Sequence, residues 1–108
     1  MSEVYEKYFE GYKIQWKSLD KKSRYSEKWT DLNPDVCPEE VYREYCKGWS
    51  AYGEHCMTSE KLAIKCFHIV LKKRKTEERF KNLMKGCDIR LVSFNKSVKM
   101  NTEQIVQN

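Results

Sequence analysis

The chain has 108 residues, which is enough for one domain and excludes a multidomain enzyme. Leu, Ile, Val and Phe together number only 22, so the core needs support from the seven Tyr, three Trp and five Cys residues. A net charge of +5, spread over both halves of the chain, permits nucleic-acid binding without requiring it, and no stretch is apolar enough to span a membrane.

Large side chains recur near the N-terminus at the spacing of an amphipathic helix. This face consists of Tyr5, Tyr8, Phe9, Tyr12 and Trp16, followed by Leu19. We expect the five aromatic residues to form a docking face for a partner subunit, although the same face also suits packing against the rest of the chain. With only four Gly and two Pro residues, the composition favours long helices and an all-α fold.

Two further helices are predicted after turn-forming residues at 30–35. Pro38 and Glu39 suit the first turn of a helix, and residues 58–61 offer a cap for the next one. We therefore predict an antiparallel helical hairpin over residues 37–71.

The charged stretch that follows predicts a helical extension over residues 72–86, ended by a glycine. Residues 1–87 then form a single helical domain. Residues 88–108 form a short strand-like or disordered tail, because their apolar residues alternate only briefly.

Four cysteines are spaced almost evenly along the hairpin. Cys37 and Cys46 enclose eight residues, and Cys56 and Cys66 enclose nine. In an antiparallel hairpin, Cys37 comes level with Cys66 and Cys46 with Cys56, so two nested disulfides are the preferred of three pairings. Such bonds would compensate for a small core. The fifth cysteine, Cys87, stands alone.

The second of these pairs is a full C-x9-C unit and the first is a near variant, so residues 37–66 resemble the coiled-coil-helix-coiled-coil-helix (CHCH) family. The resemblance implies a hairpin tied by two disulfides and imported without a cleaved presequence into the mitochondrial intermembrane space. Tyr42, Cys46 and Trp49 would form the face that the import machinery recognises. Many members are small structural subunits or assembly factors of respiratory complexes, so a non-enzymatic role is implied.

The main alternatives are a zinc site and a nucleic-acid site in a reduced protein of the cytoplasm or nucleus. His55 and His68 lie close in sequence to Cys56 and Cys66, but the usual C-x2-C pair is absent. The basic cluster at residues 72–75 suits phosphate binding, although acidic residues follow it and no aromatic residue is interleaved.

The sequence therefore predicts an all-α protein with no cofactor, no metal and no catalytic constellation of nucleophile, base and phosphate loop. We expect a subunit or assembly factor of a mitochondrial complex that binds other protein subunits.

Overall fold

The computed structural model shows a mixed α/β fold in which an antiparallel sheet packs against helices. The all-α prediction is therefore wrong. The structure describes residues 4–24, 26 and 28–101, with side chains described from residue 8 to residue 95 within those ranges.

The sheet has three strands in the order β2-β1-β3. In chain order the elements are β1 (Val4–Ser18), β2 (Thr30–Asp31), a 3₁₀ turn (Pro34–Val36), α1 (Glu39–Tyr52), α2 (Glu60–Thr76), α3 (Glu78–Leu83) and β3 (Cys87–Asn101).

β1 occupies the segment whose aromatic spacing predicts a helix, so that prediction is wrong. Tyr12 and Ile14 are buried and Trp16 is half-buried, whereas Lys13 and Gln15 lie on the opposite face. Ile14 is fully buried although it lies off the predicted helical face. Aromatic and β-branched residues pack well on a pleated surface, so the two-residue period of this segment outweighs its helical one.

β3 pairs with β1 along its whole length, from Val4 opposite Asn101 to Ser18 opposite Cys87. The predicted short strand-like or disordered tail over residues 88–108 is therefore a long strand of the sheet as far as residue 101, and the loose tail of the predicted fold is wrong over that range. Residues 102–108 lie outside the described residues. Pairing between segments so distant in sequence leaves no local signal apart from alternation, which is why a short strand is all that the sequence predicts here.

The helices cover one face of the sheet, where the core forms. A strand presents alternate residues to that face, and the helices contribute the apolar side of each turn. The buried core consists of Tyr12, Ile14, Leu32, Val41, Tyr45, Met57, Ala63, Cys66, Val70, Phe80, Met84 and Ile89.

Short segments cover the edge of β1 that faces away from β3. Tyr12 and Met57 exchange two backbone hydrogen bonds of 2.9 and 2.8 Å, and the Leu32 N–H donates to the Ile14 carbonyl at 2.9 Å. The loop after α1 is thereby fastened to the sheet.

The helices of the predicted hairpin are present as α1 and α2, but both also pack on the sheet. α1 ends at Gly53, whose positive φ of 70° is the left-handed conformation that favours glycine. The predicted extension over residues 72–86 is not continuous, because α2 ends at Thr76 and α3 begins at Glu78.

Within the residues that the structure describes, no helix combines the length and the apolar character needed to cross a bilayer.

Candidate nucleic-acid interface

All five cysteines are free thiols, so the prediction of two disulfides is wrong. Cys46 is exposed on α1, whereas Cys56 is fully buried beside Gly11 and Gly48. A disulfide holds its sulfur atoms about 2 Å apart, and these environments do not bring the two thiols together. The spacing of the cysteines predicts one pair on each of two helices, but Cys37 lies before α1 and Cys56 lies between α1 and α2.

Of the remaining thiols, Cys66 is buried in the core, and Cys37 and Cys87 are half-buried against it. Burial raises the pKa of Cys37 to about 12, with smaller contributions from nearby Cys66 and Asp35. Burial also raises the pKa of Cys66, and that of Cys87 despite the opposing charge of Arg74. These thiols stay protonated at neutral pH, which makes them poor nucleophiles.

The Cys and His residues considered for zinc are not assembled into a site. In the described part of the chain, no three His, Cys, Asp or Glu side chains form a group able to hold a metal ion. His55 instead stacks on Trp49, with ring centroids 4.6 Å apart, and His68 is exposed on α2.

Four of the five aromatic residues of the predicted docking face have described side chains, and these four do not form one exposed surface. Tyr12 is buried and Trp16 packs against the core, whereas Tyr8 is 69% exposed. Phe9 packs against Tyr52, with centroids 4.4 Å apart. Tyr5, the fifth residue, lies in the part of β1 whose side chains are outside the described set. A role of these residues in partner binding stays a prediction.

The positive charge, which looks evenly spread along the sequence, is concentrated in two segments. Residues 17–29 and 72–90 contain 13 of the 21 Lys and Arg residues but only five of the 16 acidic residues. Residues 31–60 have the opposite composition, with seven acidic residues against two basic ones. The net charge therefore differs strongly between these segments of the chain.

The two basic segments meet where β1 ends and β3 begins. Ser18 lies opposite Cys87, and the Leu19 N–H donates to the Gly86 carbonyl at 2.7 Å. The Arg74 guanidinium donates from Nη1 to the Cys87 carbonyl at 3.3 Å, which brings the end of α2 to the same place. The exposed cations of this region, which we call the basic end, are Lys21, Lys22, Arg24, Lys28, Lys72, Lys75, Arg79, Lys81, Lys85 and Arg90.

Some acidic residues of the basic end have local partners. Asp20 accepts a hydrogen bond at 3.0 Å from the backbone N–H of Lys22, and Glu77 forms a 3.6 Å ion pair with Lys73 one helical turn earlier. These contacts hold the loop and the helix end in shape and offset little of the surrounding positive charge.

An aromatic ring lies among these cations. The Arg90 guanidinium carbon lies 4.4 Å from the centroid of the Trp29 ring, and the Lys17 ammonium lies 5.9 Å from it. Gln15 accepts a hydrogen bond from Arg90 Nε at 2.9 Å and donates one to Asp31 at 2.9 Å. Cation-π contact and hydrogen bonding together fix the Arg90 side chain.

Lys13, farther along the same face of β1, does not belong to this surface. Its ammonium donates to Glu54 at 2.7 Å and to Asp31 at 3.2 Å. Burial alone would lower the pKa of Lys13, but the hydrogen bonds to the two carboxylates outweigh it and the pKa is raised. This cation is neutralised within the protein, so it adds little to the positive charge of the basic end.

The sequence identifies only part of the basic end. Residues 72–75 stand out as a cluster, but the cations of residues 17–29 are interspersed with polar residues. The sequence does contain a signal for a basic surface with an aromatic residue, because five cations lie within the twelve residues before Trp29. Its meaning depends on the pairing of β1 with β3, which brings Arg90 to that ring.

Comparison with known proteins finds no matching family model, no matching curated protein and no matching solved structure. The resemblance to the CHCH family therefore stays a prediction.

Proposed function

We propose that this protein binds nucleic acid through the basic end. The observation that supports the proposal is the convergence of cations from residues 17–29, the end of α2 and the start of β3 at one end of the sheet, where Arg90 and Lys17 also lie over the Trp29 ring. Lys and Arg neutralise backbone phosphates, and displacement of counterions from those phosphates supplies most of the non-specific affinity.

The arrangement favours nucleic acid over other polyanions because it combines cations with planar groups. Trp29 and Arg90 offer π surfaces on which a base can stack, whereas a lipid headgroup or an acidic peptide has no nucleobase to stack there. Within residues 31–60 the acidic side chains repel phosphates, and Asp31 of this segment lies beside the basic end, where it accepts the hydrogen bond from Gln15 that orients Gln15 toward Arg90.

The test is a binding titration of fluorescently labelled oligonucleotides by anisotropy at several salt concentrations. We expect log affinity to fall linearly with log salt, and the double substitution Lys21→Ala with Lys22→Ala to lower affinity about 10-fold at low salt. The slope of log affinity against log salt should become shallower by about one for each phosphate that the variant no longer neutralises.

The double substitution Lys61→Ala with Lys65→Ala is the matched control. Both lysines are exposed on the first turns of α2, and their substitution removes the same amount of charge. The proposal is overturned if both double variants lose affinity equally, or if the wild type binds anionic phosphatidylserine vesicles and no oligonucleotide.

A role as a non-enzymatic subunit is the second candidate, favoured by the exposure of Tyr8 in β1 and by the position of β3 at the edge of the sheet. An edge strand can pair with a strand of another chain. Native purification should recover a stoichiometric partner with wild type and with the Tyr42→Glu control, and lose it with Tyr8→Glu. Absence of any such partner with wild type contradicts this candidate.

A further inference from the structure

We infer that the nucleic acid is single-stranded and that one unpaired base stacks at the surface formed by Trp29 and Arg90. The inference rests on the proposed function and adds the class of ligand. It depends on the orientation of Arg90, which contacts Trp29 and Gln15 at once.

The Arg90 guanidinium is held in place before any ligand binds. Its Nε–H donates to the Gln15 carbonyl oxygen at 2.9 Å, and the Gln15 amide nitrogen donates to a carboxylate oxygen of Asp31 at 2.9 Å. An ionised carboxylate can only accept hydrogen bonds, so the NH₂ group of Gln15 faces Asp31. The carbonyl oxygen of Gln15 therefore faces Arg90 and accepts from its Nε–H. Little side-chain entropy is then lost when a ligand binds.

The resulting surface is planar, cationic and accessible. Trp29 is half-buried and anchors the stack from below, whereas Arg90 is exposed. A guanidinium has five N–H donors, of which Gln15 takes one, so the others suit the edge of a base or a phosphate. RNA-binding and DNA-binding proteins use both aromatic rings and Arg planes as stacking surfaces for unpaired bases.

A duplex cannot use this surface in the same way, because each of its bases is already stacked between neighbours. Only base edges and phosphates of a duplex are open to the protein. The exposed lysines of the basic end bind phosphates of either form, so preference for a single strand arises at Trp29 and Arg90.

The test compares a single-stranded oligonucleotide of about 12 nucleotides with the duplex of the same sequence, by anisotropy at one fixed low salt concentration. We expect the full chain to bind the single strand about 10-fold more tightly. Trp29→Leu should lower affinity for the single strand about 10-fold and leave affinity for the duplex unchanged.

Arg90→Lys gives an independent measurement that keeps the charge but removes the planar group and the contact with Gln15. It should reproduce the loss for the single strand only. Trp49→Leu is the control, because Trp49 is exposed and stacks on His55 in the acidic segment. It should leave both affinities unchanged.

Equal affinity of wild type for the two oligonucleotides overturns the inference while leaving the proposed function intact. Equal losses for both oligonucleotides in Trp29→Leu and Arg90→Lys also overturn it. Failure of wild type to bind either oligonucleotide overturns the proposed function itself.

Discussion

The Tyr45 hydroxyl accepts a hydrogen bond at 2.8 Å from the backbone N–H of Ile14. On this edge of β1, Tyr12 is paired with Met57 and the Ile14 carbonyl accepts from the Leu32 N–H, so for the Ile14 N–H a side chain of α1 takes the place of a strand partner. Burial raises the pKa of Tyr45 far above its ordinary value, although the bond from Ile14 acts in the opposite direction. The contact fixes α1 to the sheet.

Substitution of Tyr45 by Phe should destabilise the fold while keeping the shape of the side chain. The Ile14 N–H would remain buried without an acceptor, which costs about 1 to 3 kcal/mol. Chemical denaturation followed by circular dichroism measures this loss. Tyr42→Phe on the exposed side of α1 serves as the control and should change stability by less than about 0.5 kcal/mol. Equal stability of Tyr45→Phe and wild type would contradict the assignment.

Substitution of Gly48 by Ala distinguishes tertiary packing from helix propensity. An added Cβ would lie 1.8 Å from the Cys56 carbonyl oxygen, so α1 and the following loop would have to separate. Propensity alone predicts a gain of about 1 kcal/mol in a helix interior, whereas the packing predicts a clear loss. Thermal unfolding shows whether the Gly48→Ala substitution raises or lowers the stability.

The matched control for Gly48→Ala is Ser50→Ala, at an exposed position of the same helix. We expect this variant to melt within a few degrees of wild type. A melting temperature of Gly48→Ala at or above that of wild type would show that Gly48 does not contact the loop.

The free cysteines predict a defined order of reaction with a thiol reagent. Cys46 is exposed and should be alkylated first in the folded protein, whereas fully buried Cys56 should react only on unfolding. Mass spectrometry after timed alkylation and digestion identifies the order. All five sites should be labelled in denaturant without reductant, and a deficit of two labels would reveal a disulfide instead.

The helices near the middle of the chain were predictable because their signals are local. Pro38 and the acidic residues after it mark the start of α1, and Ser59 caps α2 by accepting a hydrogen bond from the Leu62 N–H. Each signal acts within one turn of the helix that it specifies, so no knowledge of the rest of the fold is needed.

The sheet was not predictable in the same way because β1 satisfies two periods at once. Tyr12 and Trp16 fit both a helix and a strand, and only the pairing of Ile14 with Leu91 decides between them. The candidate site depends on the same pairing, since it brings Arg90 next to Gln15 and within reach of Trp29. Sequence alone shows the cations but not the surface that they share.

Stability should fall at high pH because desolvation keeps the half-buried Cys37 thiol neutral in the fold. The pKa of Cys37 rises from 9.0 in the unfolded chain to about 12 in the fold, so its contribution is fully present below pH 9. Above pH 9 the unfolded chain releases this proton and the fold does not. The unfolding free energy then falls by up to about 1.4 kcal/mol per pH unit until about pH 12.

Denaturant titrations at pH values of about 8, 9 and 10 measure this loss of unfolding free energy for wild type and Cys37→Ala. The variant should be less stable at the lowest pH, and the difference from wild type should narrow as pH rises, because only wild type loses the Cys37 contribution. Cys46→Ala, at an exposed position, should follow wild type. Burial raises the pKa of Cys66 and Tyr45 as well, so a residual decline is expected in every variant. Parallel curves for wild type and Cys37→Ala would mean that the Cys37 thiol ionises as readily in the fold as in the unfolded chain.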